Sequence, residues 1–120
     1  MSTSDYVKGR GGGEMTSRSF TRRCDDGEDV VVVFYDRGVQ VGLACASDYN
    51  GKQKSFLHDL YVREDFRRQG YGTIIIQHMI KYYGVDTLYS EGSNAAIKLY
   101  NRFGFKEIDR FGKNMIVMQR

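Results

Sequence analysis

Residues Leu57–Ile76 read LHDLYVREDFRRQGYGTIII, and the pattern changes from strand to helix within this stretch. Its first part alternates as a β-strand does and ends at Val62. A basic loop with two glycines, Gly70 and Gly72, follows, and the apolar run Ile74–Ile76 then belongs to a helix. A strand that passes through such a loop into a helix predicts a sheet with helices packed on it.

The loop between strand and helix has the chemistry of an anion site. A helix N-terminus presents free backbone N–H groups and the positive end of the helix dipole. Gly70 and Gly72 let a ligand approach the backbone because they lack a Cβ atom. Arg67 and Arg68 add guanidinium groups suited to phosphate oxygens. We therefore predict a diphosphate site here, although a plain turn that needs glycine for its backbone angles is the alternative.

The segments before this unit predict a hairpin and a third strand. Val30–Tyr35 and Val39–Ala46 read as two strands around a turn at residues 36–38. The third strand, Ser55–Val62, would place alternate side chains on opposite faces of the sheet. One face would carry Phe56, His58, Leu60 and Val62, and the other Leu57, Asp59 and Tyr61.

Two helices and three short strands are predicted after the loop. Apolar residues at i, i+3, i+4 and i+7 mark one helix that ends at Gly84 and another that begins at Ser93 or Asn94 and ends at Gly104. The two stripes are Ile76, Met79, Ile80 and Tyr83, and Ala96, Leu99, Tyr100 and Phe103. The strands are Thr87–Glu91, Phe105–Ile108 and Asn114–Met118. The order of elements predicts an α/β (α+β) fold with a mixed sheet.

The N-terminal residues 1–23 are polar and glycine-rich, and we predict a flexible tail there, with the folded domain over residues 24–120. Within the tail, Gly9–Glu14 follows no strand and is not a phosphate loop. The segment lacks the apolar part of a secretory signal, so the cytoplasm is the expected location. No stretch approaches the ~20 apolar residues of a membrane helix.

The composition limits the classes of function. The chain has 120 residues, 28% of them charged, and a net charge of +3, which suits one globular domain. The positive excess lies in residues 51–120, which favours a polyanionic ligand such as a nucleotide. No stripe interleaves aromatic and basic residues, so nucleic acid is not an expected partner. Cys24 and Cys45 form no ligand spacing with His58 or His78, so no metal is predicted.

The motif Arg67-x-x-Gly70-x-Gly72 resembles the acetyl-CoA signature of the GNAT superfamily of N-acetyltransferases. About two dozen residues downstream, a second block also resembles that family. Its residues are Asn94, Ala96, Tyr100, Gly104 and Phe105. The likeness covers roughly residues 29–118, and Leu57–Gly72 is locally similar to the arylalkylamine N-acetyltransferase branch. The resemblance implies a mostly antiparallel sheet with helices on both faces, and acetyl-CoA as the acetyl donor.

One departure from the family pattern concerns the acceptor. The family usually has an N-terminal strand and two helices that wall the acceptor pocket, and residues 1–28 are too few and too glycine-rich to supply them. We therefore expect a short version of the fold, with the acceptor side either open or completed by a second subunit in a homodimer. An open site favours a protein lysine or N-terminus over a small amine.

Acetyl transfer from a thioester to an amine needs a base for the amine and an acid for the departing thiolate. His58 is the predicted base, because an imidazole titrates near ~6.5 and the resemblance implies a catalytic Glu or His at this position. Asp59 and Glu91 are the alternatives. The resemblance implies that Tyr100 is the acid and that Asn94 contacts the pantetheine arm. His78, in the middle of a helix, is expected to be structural.

The resemblance also implies which residues hold the cofactor. The backbone of Leu60, Tyr61 and Val62 would pair with the pantetheine arm, on a strand that splays from its neighbour. The predicted diphosphate loop consists of Arg67, Arg68, Gln69, Gly70, Tyr71, Gly72 and Thr73. The sequence thus predicts an acetyl-CoA-dependent N-acetyltransferase. The alternative is a non-catalytic GNAT-fold module that binds CoA or a macromolecular partner, and the presence of His58 and Tyr100 favours the enzyme.

Overall fold

The computed structural model of the chain describes residues 2–8, 14–24, 27–49, 52–91 and 93–120, which form one eight-stranded sheet and two helices. The strands are β1 (Ser2–Lys8), β2 (Glu14–Cys24), β3 (Gly27–Asp36), β4 (Val39–Tyr49), β5 (Lys52–Val62), β6 (Thr87–Ser90), β7 (Lys106–Phe111) and β8 (Met115–Gln119). The helices are α1 (Tyr71–Tyr83) and α2 (Asn94–Arg102), and a single 3₁₀ turn spans Glu64–Phe66.

The sheet has the order β1-β2-β3-β4-β5-β6-β8-β7. Among the described residues, β5 and β6 are parallel, and all other neighbouring strands are antiparallel. The predicted mixed, mostly antiparallel sheet is therefore confirmed. The predicted helix ends are also confirmed, because α1 stops at Gly84 with φ 64° and Ser93 accepts a hydrogen bond from the Ala96 N–H at the start of α2.

The N-terminal residues differ from the predicted tail. Strand β2 pairs with β3 from Met15–Asp36 to Cys24–Gly27, and β1 pairs with β2 at the edge of the sheet. The side chains of Met15 and Ser17 are buried. Serine, threonine and arginine make up most of the sequence of these two strands, so the alternation of apolar and polar residues typical of a half-buried strand is not visible there. Strand β1 ends at Lys8, so the prediction that the glycine-rich segment Gly9–Glu14 follows no strand is wrong. Residues 9–13 themselves lie outside the described residues.

The hydrophobic core lies on the face of the sheet that α1 covers. Strand residues such as Phe34 and Ala44 meet Ile75 and Met79 of α1, and all four are fully buried. Truncating a side chain of this kind to alanine typically costs ~2–5 kcal/mol. The apolar stripe of α2 also packs against this cluster in the described residues.

The buried histidine of α1 has a structural place, as predicted. His78 packs edge-on against Phe34 with the ring centroids 5.2 Å apart. It lines neither of the cavities described below.

The opposite face of the sheet is partly exposed. Phe20 and Tyr61 are 40% and 45% exposed, and Val33 and Leu43 are half-buried. Within the described residues, no helical turn precedes Glu64. None of the helices that the structure describes has the length and apolar character needed to cross a bilayer.

Strands β5 and β6 diverge and open a cleft. They pair at Phe56–Thr87 and Leu57–Leu88. Beyond that point β5 follows β4 as far as Val62, and β6 follows β8. In the described part of the chain, the β5 edge over residues 58–62 has no strand partner on its β6 side. The predicted splay of this strand is therefore present.

Candidate active site

Two adjoining cavities occupy the cleft. The first, here called the acidic cavity, has a volume of about 650 Å³ and is lined by His58, Asp59 and Glu91 among others. The second, here called the basic cavity, has a volume of about 580 Å³ and is lined by three arginines and the glycine loop. Both cavities share the residues Leu60, Arg67, Ser93, Ala96 and Tyr100. The cleft thus combines two sites of different charge side by side.

A β-bulge at His58 shapes the wall of the acidic cavity. Ala46 pairs with Leu57 and Cys45 pairs with Asp59, so His58 is an extra residue in β5. In a regular strand, His58 and Asp59 would face opposite sides. The bulge instead brings both residues to the same cavity. The prediction that Asp59 faces away from His58 is therefore wrong, because it assumed a regular strand.

Asp29 on β3 and Phe56 on β5 both lie beside the imidazole of His58. Its Nε2 lies 3.7 Å from Oδ2 of the buried Asp29, and its ring stacks beside Phe56. Arg22 on β2 donates to the same carboxylate at 2.9 Å. At this distance the carboxylate of Asp29 places a negative charge beside Nε2 without a direct hydrogen bond. The sequence alone does not reveal Asp29, because this contact depends on the register of β3, β4 and β5.

Tyr100 lies where the two cavities meet. It projects from α2, is buried, and borders both cavities. Burial, and then the negative charge of Asp59, raises its pKa from 10.0 to about 12. The phenol therefore keeps its proton at neutral pH and can act as a hydrogen-bond or proton donor.

The raised pKa of Tyr100 predicts a loss of stability in alkali. The folded protein holds this proton more tightly than the unfolded chain, so the stabilisation is complete below pH 10 and is lost as the pH rises towards 12. We expect the free energy of unfolding of the wild type to fall by about 1 kcal/mol more than that of Tyr100→Phe between about pH 9 and about pH 11. Urea denaturation of both proteins measures this, and parallel changes would contradict it.

The glycine loop has the backbone geometry of an anion site. Gly70 is the N-cap of α1 with φ 88°, in the left-handed region that glycine adopts freely. Among the described residues, no side chain caps this helix end, so its first N–H groups face the basic cavity. At Gly72, a Cβ atom would lie 3.3 Å from Leu99 Cδ2. The missing side chain therefore permits close approach of α1 and α2.

Three guanidinium groups line the basic cavity. Arg67 donates from Nε to the Val62 carbonyl at 2.9 Å and lies over the Tyr61 ring. Arg68 is exposed and has φ 63°. The third, Arg102, was not predicted from the sequence. It lies in the last turn of α2 and donates to Thr73 Oγ1 at 3.1 Å. Only the folding of α2 against the loop brings it there.

Two of the predicted cofactor residues do not present their side chains to the cavity. Gln69 donates to the Asp65 carbonyl at 3.3 Å. Tyr71 is buried, and its hydroxyl donates to Asp36 on β3. Both residues offer only their backbone to a ligand in this loop. Asn94 is the first residue of α2, and its side chain is not part of what the structure describes.

Solved structures share the fold of this chain. PH1933 from Pyrococcus horikoshii OT3 is 24% identical with a TM-score of 0.61, and the match covers 73% of this chain and 62% of that one. Campylobacter jejuni N-acetyltransferase PseH in complex with acetyl coenzyme A is 21% identical with a TM-score of 0.56, over 75% and 65%. Mutant forms of spermidine/spermine N-acetyltransferase SpeG from Vibrio cholerae are 15% identical with a TM-score of 0.54, over 76% and 62%.

These identities establish likeness of fold, and this chain spans less than two thirds of each of those three chains. Comparison with curated proteins gives no significant match. The sequence model described as the acetyltransferase (GNAT) family matches residues 4–105, which include both predicted blocks and β2. The chain therefore belongs to the GNAT family of acetyltransferases.

Proposed function

We propose that the protein is an N-acetyltransferase that moves an acetyl group from acetyl-CoA to a primary amine. One observation carries this proposal: a cavity with acidic side chains and a cavity with three arginines meet at Tyr100 in the cleft between β5 and β6. The basic cavity suits a phosphorylated donor, and the acidic cavity suits a cationic amine. Adjoining sites bring two substrates into reactive contact.

The basic cavity and the β5 edge fit acetyl-CoA. The N-terminus of α1 and the arginines offer donors for a diphosphate. The unpaired β5 edge at Leu60–Val62 offers backbone groups to the amides of a pantetheine arm, as a sheet edge does to an added strand. The Campylobacter jejuni relative was solved with acetyl coenzyme A, which supports the same donor. Bound acetyl-CoA supplies an acetyl thioester that is open to attack by an amine.

The proposed roles follow the position of each side chain. His58 removes a proton from the incoming ammonium group, and Asp29 orients its ring. Asp59 and Glu91 attract the cation and are the alternative bases. A backbone N–H of the β5 edge donates to the thioester carbonyl oxygen, and loss of one such donor typically costs ~3 kcal/mol. Tyr100, still protonated, donates to the departing sulfur.

For the acceptor we propose a protein amine, a lysine side chain or an N-terminus. The sheet face that carries Tyr61 is partly exposed, and the apolar residues of both described helices pack with the core cluster. An acceptor attached to a macromolecule can therefore reach the cleft. A polyamine or an arylalkylamine meets the same acidic side chains, and the resemblance to the arylalkylamine branch stays a prediction.

Calorimetry and a turnover assay test the proposal together. We expect acetyl-CoA and CoA to bind with micromolar affinity and ATP to bind far more weakly. Release of CoA is then measured with a lysine peptide, spermidine and tryptamine as acceptors. Binding without turnover on any amine would favour the CoA-binding module, and no binding at all would contradict both functions.

A further inference from the structure

Three side chains with metal-binding atoms meet beside the acidic cavity. Asp29 on β3, Cys45 on β4 and His58 on β5 each offer one atom, and these atoms all lie within 4.8 Å of one another. Asp29 and Cys45 are buried, and His58 is partly exposed towards the cavity. The three residues come from three consecutive strands, and the bulge at His58 brings the imidazole to the other two.

We propose that this set, the Asp29–Cys45–His58 cluster, binds one Zn²⁺ ion. Thiolate, imidazole and carboxylate are the ligands that zinc takes in proteins, and three protein ligands leave a fourth position open. Tetrahedral bonds of about 2.0–2.3 Å place ligand atoms about 3.3–3.8 Å apart. His58 Nε2 and Asp29 Oδ2 are already 3.7 Å apart, so small side-chain movements complete the site.

The chemistry of the cluster selects among metal ions. A buried thiolate favours zinc over magnesium or calcium, which prefer oxygen ligands. The imidazole is the exposed member of the cluster, with 30% of its side chain accessible. An ion therefore enters from the acidic cavity, past Asp59 and Glu91, whose charges attract it.

The positive charge of Arg22 should weaken zinc binding at Asp29, so removing that charge should raise the affinity for zinc. Its guanidinium lies 2.9 Å from Oδ2 of Asp29, and its side chain is 62% exposed. An exposed arginine can turn towards solvent when a metal takes its place, with loss of its ion pair to Asp29. Removing this positive charge should therefore strengthen zinc binding, while removing a ligand should weaken it.

Zinc in this cluster would inhibit acetyl transfer, a consequence that rests on the proposed function. A neutral imidazole with a metal on Nε2 carries its proton on Nδ1. Neither nitrogen of His58 can then accept a proton from the amine. The cluster residues do not line the basic cavity, so acetyl-CoA should bind equally with and without zinc.

The metal is measured optically, without any need for turnover. Co²⁺ replaces Zn²⁺ as a coloured probe, and a sulfur-to-cobalt charge-transfer band reports a thiolate ligand. The Cys24→Ser variant, which leaves Cys45 as the remaining thiol, serves as the matched control. We expect one Co²⁺ per chain, displaced by Zn²⁺, in the wild type and in Cys24→Ser.

Variants of the proposed ligand residues test whether zinc binds at this cluster. Cys45→Ala and His58→Gln should lower the affinity for zinc by at least about a hundredfold. Even residues that only hydrogen-bond to a metal ligand typically change the affinity by about 10–100-fold. Arg22→Gln should bind zinc several-fold more tightly. Because Cys45 is buried, circular dichroism checks that its variant folds, and the part-exposed His58 gives a second variant. Cobalt binding without a charge-transfer band, or equal affinity in Cys45→Ala and Cys24→Ser, would overturn the site even if the enzyme is active.

Discussion

Replacing His58 with glutamine is expected to lower kcat for acetyl transfer by about 10²–10⁴-fold, the usual contribution of a general base. Glutamine keeps a polar side chain of similar size but cannot take the proton of an ammonium group. His58 does not line the basic cavity. The KM for acetyl-CoA, and its affinity measured by calorimetry, should therefore stay within a few-fold of the wild-type values.

The alternative bases are separated by matched amide substitutions. Asp59→Asn and Glu91→Gln remove a charge from the same cavity, and we expect each to raise KM for the amine more than it lowers kcat. Asp59→Asn should also lower the pKa of Tyr100, because the charge of Asp59 contributes to its rise. If kcat of His58→Gln stays within about tenfold of the wild-type value and kcat of Glu91→Gln falls further, Glu91 would be the base instead of His58.

The unit that runs from β5 through the glycine loop into α1 could be predicted because its signals are local. Strand alternation, two glycines and an apolar helical stripe all lie within Leu57–Gly84, and each acts through its neighbours in sequence. Strands β1 and β2 lacked such a signal. Their sequences are mostly polar, and the burial of Met15 and Ser17 follows only from pairing with β3.

The features of the site that could not be predicted from the sequence all depend on contacts between elements. Asp59 shares a cavity with His58 because β4 has one residue where β5 has two. Asp29 and Cys45 meet His58 through the register of three strands, which no ligand spacing in the sequence reveals. Arg102 reaches Thr73 only after α2 has packed beside the start of α1.

The double substitution Arg67→Ala with Arg68→Ala is expected to weaken acetyl-CoA binding by about a hundredfold or more. A hydrogen bond to a charged group typically contributes about 1.5–3 kcal/mol, and two guanidinium groups are lost. Both side chains are exposed, so the fold should remain intact. The substitution Arg18→Ala with Lys81→Ala is the control, since it removes the same charge from residues that line neither cavity.

Acetyl-pantetheine separates a diphosphate site from general electrostatic attraction. It carries the acetyl thioester and the pantetheine amides but no phosphate, so its weak affinity should be the same in the wild type and in the Arg67/Arg68 double variant. Added salt should weaken acetyl-CoA binding more steeply in the wild type than in the double variant. Salt screens the charges of Arg67 and Arg68, which the double variant lacks. Equal loss of both ligands in the double variant would instead mean that Arg67 supports the β5 edge through its bond to the Val62 carbonyl. The phosphate assignment would then pass to Arg102 and the N-terminus of α1.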